Sequence, residues 1–181
     1  SVASGKGSIP TFVQKINSLL NNNQVDSAIA ECDKQKGSVA NVIREGLNKY
    51  KEMSVKAGLD KDQKVIAIQK EIEEATSLEL PMLEKNLVIL ATISSVATLL
   101  GLLGTVFGMI RAFSAIATAG APDAVALSTG ISEALINTAL GISTSATAII
   151  FYNYFTTKID GLTYGIDEAG FSISQTFAAK H

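Results

Sequence analysis

A carboxylate stands at position 133 in a stretch, residues 124–157, that carries no other charged side chain. An acid within a membrane span costs roughly 2.5 to 3.5 kcal/mol at the helix centre on insertion scales, unless it is partnered or hydrated. At 100° per residue, Thr129, Gly130, Glu133, Asn137, Gly141, Thr144 and Ala148 fall within about 100° of arc, with Thr138 and Ser145 at its edge. Ile131, Leu135, Ile142 and Ile149 occupy the opposite side. One side of such a helix meets lipid, and the small and polar side faces inward and can be wet. Glu133 then reads as a proton-exchanging carboxyl on a path lined by Asn137, Thr138 and Thr144. The competing reading is that Glu133 only hydrogen-bonds across helices or pairs with Arg111, locking two helices together. For Thr105 and Thr138 the alternative is a hydroxyl that bonds the carbonyl one turn back in its own helix.

These residues need a second helix to work against. On residues 87–112, Ser94, Thr98, Gly101, Thr105, Gly108 and Ala112 recur at separations of four and three and share one small face. Membrane helices associate through close packing and interhelical hydrogen bonds, which small residues permit. Gly104 and Gly108 add a GxxxG pair, and Gly101, Gly104, Gly108 and Gly141 are the expected packing glycines.

The elements follow from hydropathy. Of 181 residues 47% are hydrophobic, yet between 87 and 157 only Arg111, Asp123 and Glu133 are charged. Residues 87–110 form 24 uncharged positions, enough at 1.5 Å each to cross a hydrocarbon core of about 30 Å. Gly120 and Pro122 supply turn chemistry, and residues 124–157 form a second span. Phe151, Tyr152, Tyr154 and Phe155 lie at its exit, as interfacial aromatics do. Ahead of the spans, residues 9–56 show three amphipathic patterns punctuated by Asn21–Asn23 and Lys36–Gly37; Gly58 and Asp60 mark a stop and an N-cap. The expected fold is all-α: a membrane helical hairpin whose long helices extend into a cytoplasmic helical bundle. Its parts are a cytoplasmic helical domain (1–60), a long helix (61–117) with Pro81 as a kink and the first span at about 87–112, a periplasmic loop (118–123), a second span (124–157) and a cytoplasmic C-terminal helix and tail (158–181). Lys64, Lys70 and Lys85 precede the first span and Lys158 follows the second, which places both termini of the segment on the cytoplasmic side.

Other chemistries lack their parts. One cysteine, Cys32, in an amphipathic stretch reads as a small buried hydrophobe, and one histidine, His181, leaves no metal-ligand cluster. A net charge of −2 without a basic patch excludes a nucleic-acid partner. No phosphate-binding loop or nucleophile elbow occurs, so neither an enzyme nor a cofactor is expected.

The segments L102-L103-G104-T105-V106-F107-G108-M109-I110 and G130-I131-S132-E133-A134-L135-I136-N137-T138-A139-L140-G141 closely resemble the two signatures of the ExbB/TolQ (MotA-like) proton-channel family, closest to ExbB. Y152-N153-Y154-F155 is similar to the family's exit from its last span. The resemblance covers roughly residues 10–175. It implies a homo-oligomer, a ring of five, around a pore that holds a single-span partner resembling ExbD or TolR, whose membrane aspartate takes up and releases protons. It implies Thr105, Glu133 and Thr138 as pore-lining residues, and a further transmembrane helix ahead of the cytoplasmic helices, which residues 1–86 do not supply. The expected function is that of a pore-forming subunit of a proton-motive-force-driven motor in the bacterial inner membrane, surrounded by lipid and energising outer-membrane transport through a TonB-like protein. The alternatives are a TolQ-like subunit, working through a TolA-like protein in envelope integrity, and a non-conducting membrane scaffold. A flagellar-type stator subunit would bring four spans and a larger charged cytoplasmic region.

Overall fold

The structure is a computed structural model that describes residues 5–119 and 124–180. The described residues form six helices: α1 (Ile9–Asn21), α2 (Val25–Gln35), α3 (Ser38–Val55), α4 (Lys61–Glu84), α5 (Leu87–Ala119) and α6 (Ala124–Lys180). The all-α class holds, with no strand among the described residues. Gly120 and Pro122, the expected turn, lie outside them, as does His181. The chain divides into a bundle unit (Ser1–Glu84 with Thr157–His181) and a hairpin unit (Lys85–Thr156).

In the bundle unit, apolar positions at helical spacing meet in one core. Phe12, Val13, Ile16 and Leu20 of α1, Val39, Val42, Ile43, Leu47, Tyr50 and Met53 of α3, and Ile68 and Ile72 of α4 are buried with Ile166, Ala169, Ile173 and Phe177 of α6. Tyr50 and Phe177 meet edge-on, with ring centroids 5.0 Å apart, a geometry that the aromatic quadrupole favours. Cys32 is buried in the same core, and desolvation pushes its thiol up to about 12, so it packs as a hydrophobe and ionises with difficulty.

The helix ends are closed by local chemistry. Lys36, at φ 57°, and Gly37, at φ 93°, turn the chain between α2 and α3. Asp60 accepts from the Gln63 N–H at 2.7 Å while the Gln63 side chain accepts from the Asp60 N–H at 3.1 Å, a reciprocal capping box at the start of α4. At the C-terminal end of α1, the Lys180 ammonium donates to the Leu20 and Asn21 carbonyls and to Asn23 Oδ1, which places a cation on the negative end of a helix. Turn geometry at Lys85 and Asn86 interrupts the long helix expected over 61–117 and divides it into α4 and α5. Pro81, which has no N–H to donate, lies in the last turn of α4.

The hairpin unit is built inside out compared with a soluble domain. Leu99, Leu100, Ile110 and Phe113 of α5 and Leu135, Leu140 and Ile150 of α6 are exposed, while Gly101, Gly108, Ala112, Gly130, Ala134 and Gly141 are buried. Only 6% of the apolar window that reaches into α5, and 17% of that in α6, is buried. A soluble core helix buries such a window, so bulky residues outside and small residues inside fit a hydrocarbon solvent.

Candidate functional site

The site begins at the seam between α5 and α6. A Cβ built on Gly101 would lie 2.9 Å from Gly141 Cα, and one on Gly141 would lie 2.7 Å from both Ala97 O and Gly101 Cα. Two bends of side chain cannot relieve such a contact, because the obstruction is backbone. A Cβ on Gly108 would lie 2.8 Å from Ala134 Cβ and 3.0 Å from Gly130 O, and one on Gly130 would lie 2.7 Å from Ala112 Cβ and 3.0 Å from Gly108 O. The antiparallel helices are thus in near backbone contact along Gly101, Gly108 and Ala112 on one side and Gly130, Ala134 and Gly141 on the other. Gly104 abuts the side chain of Asn137.

Close approach brings polar groups together across the seam. The hydroxyls of Thr105 and Thr138 share a short hydrogen bond. Thr105 Oγ1 also reaches the Gly101 and Ala134 carbonyls at 3.4 Å, and Thr138 Oγ1 reaches the Gly101 carbonyl at 3.5 Å. Nearer the other end, the Ser145 hydroxyl donates to the Ser94 carbonyl. Thr105 therefore has a neighbouring hydroxyl and two carbonyls within reach, and Thr138 a neighbouring hydroxyl and one carbonyl.

Glu133, Asn137 and Thr144 lie on the adjoining flank of α6 and are exposed in the single chain, Asn137 at the edge of the seam, where it meets Gly104. The Glu133 carboxylate is 3.5 Å from the Arg111 guanidinium. Thr144 returns its hydroxyl to the Leu140 carbonyl at 2.8 Å, and Thr129 bonds the Val125 carbonyl likewise. Asn137 and Thr144 border an open groove of about 440 Å³ whose other walls are Ala97, Leu100, Gly101, Gly104, Leu140 and Gly141. The single polar arc read from the sequence is thus two surfaces: a closed seam with Thr105 and Thr138, and an open flank with Glu133, Asn137 and Thr144. The seam also uses Ala134, which the polarity of the stripe gives no reason to select. Its signal is the recurrence of small residues at Gly130, Ala134, Thr138, Gly141, Ser145 and Ala148, a helical spacing within about 80° of arc.

Residues 34–168, which include α3, α4, α5, both surfaces of the hairpin and most of α6, match the MotA/TolQ/ExbB proton channel family. The chain belongs to this family. Among relatives, the Tol-Pal system protein TolQ of Pseudomonas aeruginosa is 32% identical over 124 residues, 68% of this chain and 54% of that protein. The putative biopolymer transport protein ExbB-like 3 of a Synechocystis strain is 40% identical over 86 residues, 46% of this chain and 41% of its own length. The biopolymer transport protein ExbB of Pseudomonas putida is 38% identical over 81 residues, 45% of this chain and 25% of its own. The chain thus matches between about a quarter and about half of the length of these relatives. MotA/TolQ/ExbB membership makes this a membrane protein of a channel family, not of an enzyme class, and it agrees with the two helices long and apolar enough to cross a bilayer.

Proposed function

We propose that this chain is the pore-forming subunit of a proton-motive-force-driven motor in the bacterial inner membrane, and that it energises outer-membrane transport in the manner of ExbB. The observation that carries the reading is the open flank of Glu133, Asn137 and Thr144 beside the Thr105–Thr138 hydroxyl pair, on a hairpin that exposes bulky apolar side chains such as Leu99, Leu103, Leu140 and Ile150. An exposed carboxylate on such a hairpin calls for a polar neighbour, and a ring of copies, five by resemblance, would turn the flanks inward around a single-span ExbD/TolR-like protein. Protons entering along the flank would be handed between carboxyl, amide and hydroxyl groups. Each charge that crosses releases about 2.3 kcal/mol per 100 mV, so several protons supply a mechanical stroke to a TonB-like partner. Both termini of the segment would be cytoplasmic, as the lysines at 64, 70, 85 and 158 favour.

A TolQ-like role with a TolA-like partner is the second reading, favoured by the longer match to the Pseudomonas aeruginosa TolQ. Complementation separates the two: restored uptake of a receptor-dependent nutrient supports the ExbB-like role, and restored detergent resistance supports the TolQ-like one. The channel reading itself is tested with Glu133→Gln and Thr138→Val in whichever background is complemented. Both variants should accumulate in the membrane and assemble, while activity falls on the order of a hundredfold, the scale of a positioned proton-transfer group. Full activity in assembled Glu133→Gln complexes would leave the chain a non-conducting scaffold.

A further inference from the structure

Between residues 87 and 157 the helices α5 and α6 hold one cation, Arg111, and one anion, Glu133, and the structure sets them 3.5 Å apart across the hairpin. Surrounded by water such a pair would be worth little, since its side chains are 75% and 51% exposed. Its setting is different: Phe107, one turn before Arg111, and Ile136, one turn after Glu133, are exposed apolar side chains on the same faces of the two helices. In surroundings of low dielectric, removing one partner of an ion pair leaves the other uncompensated, which is costly. Arg111 does not enter the seam of small residues, and packing gives it no role there, because Ala112 next to it makes the contact with Gly130.

We propose that Arg111 is a positioning residue for the ion path, a counter-charge that tethers the Glu133 carboxylate on the open flank and yields it to an incoming proton. This rests on the reading of Glu133 as part of that path. In the resting pair the two charges cancel. When the pair opens, a proton adds to the freed carboxylate oxygen, giving a neutral carboxyl and an unpaired guanidinium. The guanidinium's positive charge repels a second cation until the proton leaves and the pair re-forms. Neither residue alone gives this alternation. A carboxylate without the guanidinium would be free to hold any cation, and a guanidinium without the carboxylate would bar all of them.

The test uses the whole complex, with Arg111→Gln, Arg111→Lys and Glu133→Gln, and two readouts. The first is the infrared carboxylate stretch of Glu133 in membranes, identified as the band that Glu133→Gln removes; the second is energy-coupled activity per assembled complex. The expected result is that Arg111→Gln displaces the Glu133 band and lowers activity at least about tenfold, whereas Arg111→Lys, which keeps the charge, retains activity within about threefold. An unmoved band in Arg111→Gln would show that the two groups are not paired and would overturn the proposal. A displaced band with unchanged activity would overturn it too, by reducing the pair to a structural contact. If Glu133→Gln itself keeps full activity, the channel reading fails first, and the infrared result still decides whether the pair exists.

Discussion

Glycine at position 141 is required by what stands opposite it, the Ala97 carbonyl and the Gly101 Cα, each 2.7 Å from where a Cβ would be. Gly161, on the same helix in the bundle unit, has nothing within 4 Å of that point. The two sites therefore respond in opposite directions to the loss of a glycine. Gly141→Leu forces α5 and α6 apart and should cost about 3 kcal/mol or more, since overpacking against backbone cannot relax by rotamer change. Gly161→Ala should stabilise by about 0.8 to 1 kcal/mol through helix propensity alone. Thermal unfolding of the purified chain in detergent measures both; equal effects would mean that the seam is not a close contact. Periodicity alone made the glycines legible in the sequence. The partition of the polar residues between seam and flank was not legible, because it depends on the register of α5 against α6. Thr105 meets Thr138 only at one offset of the two helices, and no residue within either span encodes that offset by itself. The pairing of Arg111 with Glu133 was legible as one of two readings of the carboxylate, and the hairpin brings the two together across 22 positions.

Helices with strong local signals were the easiest elements to read. Asp60 was marked as an N-cap by Gly58 before it and the helical pattern after it, and the Asp60–Gln63 capping box realises that signal. Asp60→Ala should cost the bundle about 1 kcal/mol, within the range of 0.5 to 2 for lost caps, read as a lower denaturant midpoint. The break at Lys85 and Asn86 was less legible, because both flanking segments favour helix and Pro81 stands a turn earlier. Interactions between elements of the bundle were not legible at all. Lys15 of α1 donates to Glu31 of α2 at 2.6 Å and holds its carboxyl below the ordinary value of 4.5. The unfolded chain, lacking that bond, takes up its proton first as pH falls, so acid favours unfolding. The contribution is whole above about pH 4.5 and is lost as pH falls through the lower value of the folded state. Replacing Lys15 by Met should therefore reduce the loss of melting temperature between pH 6 and pH 3.5, compared with the unaltered chain; an unchanged difference would mean that this pair does not couple folding to protons.

Charge is distributed over the whole molecule in a pattern that the positive-inside rule reads as one direction across a bilayer. Lysines at 64, 70 and 85 stand before the first span and Lys158 after the second, while residues 112–123 contain no basic side chain. Lys and Arg near short spans are retained on the cytoplasmic side, so the bundle unit should face the cytoplasm and the link between the spans the opposite side. Arg111, close to that link, is the exception to the charge pattern. Its pairing with Glu133 leaves it less free to oppose the four lysines. A cysteine scan decides the matter cleanly. The native thiol, Cys32, is buried in an apolar core and ionises reluctantly, so Cys32→Ala, which adds no polar group there, gives a thiol-free background. In it, single cysteines at Ser18 and Gln175, both exposed in the bundle unit, should resist a membrane-impermeant maleimide in intact spheroplasts and react once the membrane is opened. A cysteine at Ala121 should react in both conditions. Reaction of Gln175→Cys from outside would invert the hairpin, put the proton entry at the wrong end of α6 and require a different coupling of the flank to the gradient.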